Sequence, residues 1–261
     1  SIYLMEINKI YNENCLETMK RMENNFVDVV LTSPPYNMTK RNGGYADKGK
    51  RYDIYKDWKS EKEYILWSLD IFNNINNVLN KNGVILYNFS YSIENPSLPY
   101  MMVSEIIKNT NFVIADTIIW KKNNSVPHPA SYNRLNRVVE FIFVFCRGDE
   151  IKDFNCYKKK IKTSTSGQKY YEIIDNLIKA KNNDEPNEIN KATFSSILCR
   201  KLLKIYSKKG DLIYDPFMGS GTTAKAAHLL DRNWIGSEIS EKYVNIANKR
   251  LIPFLTQTKL F

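Results

Sequence analysis

"DLIYDPFMGSGTTAKAAHLLDRNWIGSEIS", residues 211–240, is the stretch whose reading decides the fold. Leu212 to Tyr214 reads as a short buried strand, and a loop with Gly219 and Gly221 follows it. Helical spacing of apolar residues begins at Thr222 and runs to Leu230. Trp234 to Ser237 is a second strand, with Glu238 at its end. Strand, glycine turn, helix, strand is the repeating unit of a parallel sheet. Glycines in such a turn let a ligand approach the backbone closely. The first N–H groups of the helix are then free to bind its polar atoms. An acid at the end of the next strand, about 20 residues on, is placed for ribose hydroxyls.

The loop departs from two common nucleotide patterns. It lacks G-x-G-x-x-G, because position 224 is Ala and the loop opens with Asp215-Pro216-Phe217. It lacks the Gly-Lys-Ser/Thr of a phosphate-binding loop. A site for an adenosine without pyrophosphate is the expectation, and S-adenosylmethionine is such a ligand.

A second stretch is equally unusual. "LTSPPYN", residues 31–37, caps the strand-like run Phe26 to Leu31 with a stiff, polar, aromatic tip. A turn uses proline, but it does not require Ser-Pro-Pro-Tyr in that order. Ser33-Pro34-Pro35-Tyr36 together with Asp215-Pro216-Phe217-x-Gly219-Ser220-Gly221-Thr222-Thr223 resembles the amino-group DNA methyltransferases, which modify N4 of cytosine or N6 of adenine. The tip comes first and the glycine loop near the C-terminus, an order that resembles the β-group of that family. The likeness covers nearly the whole chain.

The resemblance implies an α/β fold of the Rossmann-like, S-adenosylmethionine-dependent kind. A mostly parallel sheet has helices on both faces, and a small target-recognition insertion is added. Residues 1–147 form the catalytic part, 148–190 the insertion and 191–261 the cofactor-binding part of the same domain. The cofactor residues it implies are Asp215, Pro216, Phe217, Gly219, Ser220, Gly221, Thr222 and Thr223, with Thr32, Ser240 and the ribose acid Glu238. "NKATFSS", 190–196, is similar to the segment before the family's cofactor loop through Ala192 and Phe194; its His and Pro positions are absent. Asn14, in "NENC", stands where the family has an acid against the adenine ring.

The chemistry explains the tip. An exocyclic base amine is a weak nucleophile, because its lone pair is delocalised into the ring. Ser33 Oγ and the Pro34 carbonyl can each accept one amine hydrogen and turn that lone pair toward a methyl donor. Catalysis is then positioning and electrostatics, and two prolines keep the acceptors aimed. The amine is out of reach inside a duplex, so the base must flip out, with Tyr36 stacking on its face. Ser33 is commoner among N4-cytosine enzymes of the family and Asp among N6-adenine enzymes. N4-cytosine is therefore the expected target, with N6-adenine by the same mechanism as the alternative. C5-cytosine chemistry needs a Pro-Cys pair, and none of the nine prolines precedes a cysteine.

Other features set the context. The net charge is +10, from 38 Lys+Arg against 28 Asp+Glu, which favours a polyanionic partner but equally fits an AT-biased genome. Double-stranded DNA is the expected partner. Lys40, Arg41, Lys48, Lys50 and Arg51 lie in a glycine-containing loop after the tip. Lys121, Lys122, His128, Tyr132, Arg134 and Arg137 form a second candidate DNA contact. Residues 1–6 lack the layout of a secretory signal, no apolar run approaches a membrane span, and the four cysteines show no C-x-x-C. A cytoplasmic protein without a metal site is expected. A homodimer and a cognate restriction endonuclease fit the resemblance. RNA or protein substrates, or a non-catalytic binding module, are the competing readings.

Apolar spacing predicts further elements: a strand at 5–11, a helix at Cys15–Met22, and a helix at 61–80 closed by Gly83 as its C′ residue. Strands at Val84–Phe89, Phe112–Trp120 and Val138–Cys146, and helices at 97–109, Phe194–Tyr206 and Glu241–Leu251, complete the reading.

Overall fold

Strand and helix alternate along the chain as the apolar runs predict. The computed structural model describes residues 5–36, 60–90, 95–125, 135–182 and 194–256. The elements are β1 (Lys9–Tyr11), α1 (Cys15–Arg21), β2 (Val27–Thr32), α2 (Glu61–Val78), β3 (Leu79–Phe89), α3 (Leu98–Asn109), β4 (Phe112–Lys122) and β5 (Val139–Arg147). They continue with β6 (Lys160–Thr163), β7 (Lys169–Tyr171), β8 (Leu177–Ala180), α4 (Ser196–Tyr206), β9 (Leu212–Asp215), α5 (Thr222–Leu229), β10 (Asn233–Ser237) and α6 (Glu241–Leu255).

One sheet has the order β1-β10-β9-β2-β3-β5-β4-β8. Only β5 runs against its neighbours β3 and β4; the other pairings are parallel. Successive side chains of a strand point to opposite faces, and here both faces are apolar. Val29, Leu31, Val84, Leu86, Ile142 and Val144 meet α4, α5 and α6. Val30, Ile85, Tyr87, Phe143 and Phe145 meet α1, α2 and α3. Two covered faces are why these strands read as continuous apolar runs rather than alternating ones. Each fully buried large side chain contributes roughly 1.5–3 kcal/mol.

The strand order positions the site. From β9 the chain moves one way, to β10, and from β2 it moves the other way, to β3. The carboxyl ends of β9 and β2 thus flank a topological switch point, where open α/β sheets bind ligands.

Several boundaries differ from expectation. Helix α2 starts with a capping box, in which Glu63 N donates to Ser60 Oγ and Ser60 N donates to the Glu63 carboxylate. It ends at Val78 rather than at 80, and Gly83 is not its C′ residue. The left-handed residue is Asn82, at φ 60°. Gly83 instead provides room, because a Cβ there would lie 2.8 Å from the Leu79 side chain. The strand expected over 5–11 is paired only over Lys9–Tyr11. Asn8 precedes it in the left-handed region, and its Oδ1 accepts from Trp234 N at 3.1 Å.

Within 148–190 the structure places two different things. The β6–β7 hairpin pairs only with itself, whereas β8 is a strand of the main sheet, beside β4. The hairpin stem is tied to the amino-terminal end of the sheet. Asn155 N donates to the Asn82 carbonyl at 2.8 Å, and Tyr157 N to that of Ile205 at 2.6 Å.

Candidate active site

Thr32 and Asp215 end adjacent strands, and Thr32 Oγ1 donates to Asp215 Oδ1 at 2.6 Å in the buried interior. This bond joins the two sequence motifs across 183 residues. Past it, Ser33 to Tyr36 and the loop after Asp215 open on one cavity of about 380 Å³.

The loop is fixed from three sides. Phe217 N donates to Asp215 Oδ1 at 3.0 Å. Gly219 N donates to Glu238 Oε2 at 2.9 Å, and Ser240 N to Glu238 Oε1 at 2.9 Å. From α6, Arg250 donates to Ser220 Oγ at 2.7 Å and to the Ser220 carbonyl. Gly221 caps α5 in the left-handed region, at φ 84°, where a Cβ would stand 3.0 Å from that of Ala247. Having no side chain, it leaves the first-turn N–H groups of α5 to a ligand.

Burial pushes the Asp215 carboxyl up to about 6, against the pull of the Thr223 and Thr32 hydroxyls and the Phe217 N–H. Thr223 Oγ1 acts only through proximity, since its geometry falls short of a hydrogen bond. Burial also raises the Glu238 carboxyl, against the Ser240 and Gly219 N–H groups. Cys15, which lines the same cavity, is pushed up to about 12 by burial and is protonated at neutral pH. It is no thiolate nucleophile.

The other half of the cavity is built around the proline tip. Tyr64 of α2 donates to the Pro35 carbonyl at 2.6 Å, and no donor takes the Pro34 carbonyl among the described residues. Tyr36 packs edge-on against Phe89, with ring centroids 5.1 Å apart. Its hydroxyl lies 3.0 Å from Asn88 Oδ1, 3.0 Å from Glu140 Oε2 and 3.3 Å from Ser33 Oγ. Asn88 Nδ2 also donates to Glu140 Oε2 at 3.2 Å, and Lys122 pairs with Glu140 Oε1. Asn88 and Glu140 are functional candidates that sequence reasoning missed. The sequence carries only a trace of them: Asn88 interrupts the apolar stretch 84–89 and Glu140 the stretch 139–146, but their meeting depends on which strands pair.

The structure brings together Asn14, Ser33, Pro34, Pro35, Tyr36, Phe194, Asp215, Pro216, Phe217, Gly219, Ser220, Thr222, Thr223, Glu238 and Ser240 around this cavity. Asn14 Oδ1 also accepts from Leu16 N at 2.9 Å as the cap of α1. Lys122 lines the cavity too, only 17% exposed and paired, rather than standing on the surface for phosphate. Lys121 is exposed, and Arg137 half-buried. Lys40, Arg41, Lys48, Lys50, Arg51, His128, Tyr132 and Arg134 lie outside the described residues.

Comparison with known proteins gives the family and the fold. The model of the N6/N4 DNA methylase family matches residues 27–249, most of the chain. The chain belongs to the N6/N4 DNA methylase family. Its motif order, proline tip before glycine loop, is that of the β-group. Among curated relatives of this methylase, the orphan methyltransferase M.BamHII of Bacillus amyloliquefaciens is 28% identical over 255 residues, covering 86% of this chain and 88% of its own. Further relatives are type II methyltransferases. The cytosine-N4-specific PvuII DNA methyltransferase superposes with a TM-score of 0.71 at 19% identity, covering 100% of this chain and 90% of that one. M1.HpyAVI, solved with S-adenosylmethionine, gives 0.60 at 24% identity, covering 93% and 99%. These two establish the likeness of fold. No helix among the described residues is long and apolar enough to cross a membrane.

Proposed function

We propose that this DNA amino-methyltransferase uses S-adenosylmethionine to methylate N4 of a cytosine flipped out of double-stranded DNA, as the modification activity of a restriction–modification system. The observation that carries the reading is the Thr32–Asp215 bond, which sets the amine-binding tip and the glycine loop on one cavity. The type II relatives support the modification role. Ser33 and the likeness to a cytosine-N4-specific enzyme support the base.

The lining fits the cofactor. Asp215 and Glu238 are the carboxyl groups beside the glycine loop, which suits a ligand carrying sulfonium and ammonium charges. Glu238 is placed for the ribose hydroxyls, and the Gly219–Gly221 turn and the start of α5 for polar atoms. Phe217, with Trp67 5.4 Å away, supplies aromatic surface for the adenine. When bound, S-adenosylmethionine supplies an electrophilic methyl group.

The chain's own residues do the rest. Ser33 Oγ and the Pro34 carbonyl accept the two amine hydrogens and hold them out of the ring plane. Tyr64 keeps the tip in place through Pro35. Tyr36, anchored by Asn88 and Glu140, is the ring on which the extruded base stacks. DNA meets the cavity end of the sheet, with Lys121 and Arg137 toward its phosphates. Of the described residues in 148–182, Asn182, just after β8, lines the cavity, and we assign target recognition to that end rather than to the hairpin.

Mass analysis of nucleosides tests the reading, after incubation of unmethylated genomic DNA with the protein and S-adenosylmethionine. N4-methylcytosine is expected. N6-methyladenine would overturn the choice of base while leaving fold and cofactor in place. No methylated base would overturn the DNA activity.

A further inference from the structure

Lys122 is unusual for a lysine at the end of a strand. Its side chain is 17% exposed and that of Glu140 13%, and the two form a pair inside the cavity. An ammonium carries three N–H donors. Among the described residues, Glu140 Oε1 and the Trp120 ring, 5.2 Å away, are its partners. A largely buried charged donor facing an open cavity is costly unless its remaining N–H groups find acceptors. Neither the amine-binding tip nor the glycine loop uses it.

Its position is set by a connected chain of contacts. Ser33 Oγ is next to the Tyr36 hydroxyl, which is next to Glu140 Oε2, and Lys122 holds the other oxygen of that carboxylate. Ser33 marks where the exocyclic amine sits. The Watson–Crick edge of a base then runs from the amine into this chain. On cytosine the amine is followed by two acceptors, N3 and O2. On adenine it is followed by one acceptor, N1, and then a C–H.

We propose that Lys122, oriented by Glu140, reads the cytosine edge by donating to N3 and O2 of the extruded base and so selects cytosine over adenine. The inference rests on the cytosine reading of the target. Lys122 is thus a specificity residue contacting the base, and Glu140 a positioning residue acting through Lys122. Adenine in the same place leaves the ammonium with one acceptor and sets a C–H against it. A site built to hydrogen-bond one substrate rejects an analogue lacking that acceptor, because its own polar group is left unpaired.

The test uses the full chain, unmethylated genomic DNA and S-adenosylmethionine. Wild type, Lys122→Met, Lys122→Arg and the double variant Lys122→Met/Glu140→Gln are compared. N4-methylcytosine and N6-methyladenine are quantified by mass, with cofactor affinity and thermal melting alongside. Lys122→Met should form N4-methylcytosine at least about tenfold more slowly, with cofactor affinity close to wild type, a lower melting temperature from the unpaired Glu140 that the double variant recovers, and a higher adenine share of product. Lys122→Arg should keep more activity than Lys122→Met. The double variant should remain slow on cytosine. Recovery there to wild-type rate would mean that the single variant failed only through a stranded carboxylate, and would overturn the proposal. A rate for Lys122→Met within about threefold of wild type would overturn it as well, while leaving the cytosine reading intact. Wild type forming only N6-methyladenine is the separate failure, that of the base assignment itself, and it removes the proposal with it.

Discussion

Asp215→Asn should make the cofactor-free protein more stable at neutral pH. The amide keeps Oδ1 as an acceptor for Thr32 Oγ1 and Phe217 N, which now bond the carboxylate at 2.6 and 3.0 Å. It removes a charge that burial disfavours. Burial raises this carboxyl from 3.8 to about 6 even against those bonds. At 1.36 kcal/mol per tenfold change in proton affinity, that is about 3 kcal/mol. The folded state holds the proton more tightly than the unfolded chain does. The stabilising contribution is therefore complete below about pH 4 and is lost as pH rises through about 6. At pH 7.5 the wild type carries an ionised, desolvated carboxylate and the variant does not. Urea melts without cofactor should show the variant ahead by about 3 kcal/mol at pH 7.5 and by little near pH 4. Its affinity for the cationic cofactor should fall at the same time, a conflict between stability and function common at binding sites. A variant less stable than wild type at pH 7.5, or a difference independent of pH, would refute the reasoning.

Three further outcomes follow from the loop. Gly221→Ala forces a side chain into the left-handed region 3.0 Å from the Ala247 Cβ, and should cost at least about 1–2 kcal/mol in denaturant melts. Glu238→Gln strips one acceptor from the pair of N–H groups at Gly219 and Ser240, so calorimetry should show cofactor affinity down by about tenfold or more. Arg250→Met removes the hold on Ser220 from α6 without touching the tip; KM for the cofactor should rise several-fold while kcat changes about twofold or less.

The fold was legible where burial repeats itself. Strands such as β3 and β5 are apolar on both faces, so their cores stand out in the sequence. Boundaries were less so. Leu79 continues the helical period of α2 and also starts β3, and the chain turns at Asn82, a residue that tolerates the left-handed region as glycine does. Strand β8 does not stand out in the sequence, because LIKA is short and surrounded by polar residues. Both motifs of the site were legible because proline and glycine constrain the backbone itself. Asn88, Glu140 and the inward role of Lys122 were not, because their meaning depends on which strands lie side by side. The pairing of β5 between β3 and β4 creates that cluster, and no local pattern encodes it.

The most direct test compares wild type with Ser33→Ala, using S-adenosylmethionine labelled in its methyl group. Transfer of label to DNA and cofactor affinity are measured on the same samples. The wild type should label DNA, and Ser33→Ala should bind cofactor equally well yet transfer label roughly 10²–10³-fold more slowly, as when one preorganised polar group is lost from an active site. Ser33→Ala labelling DNA at the wild-type rate, or wild type labelling none, would contradict the account.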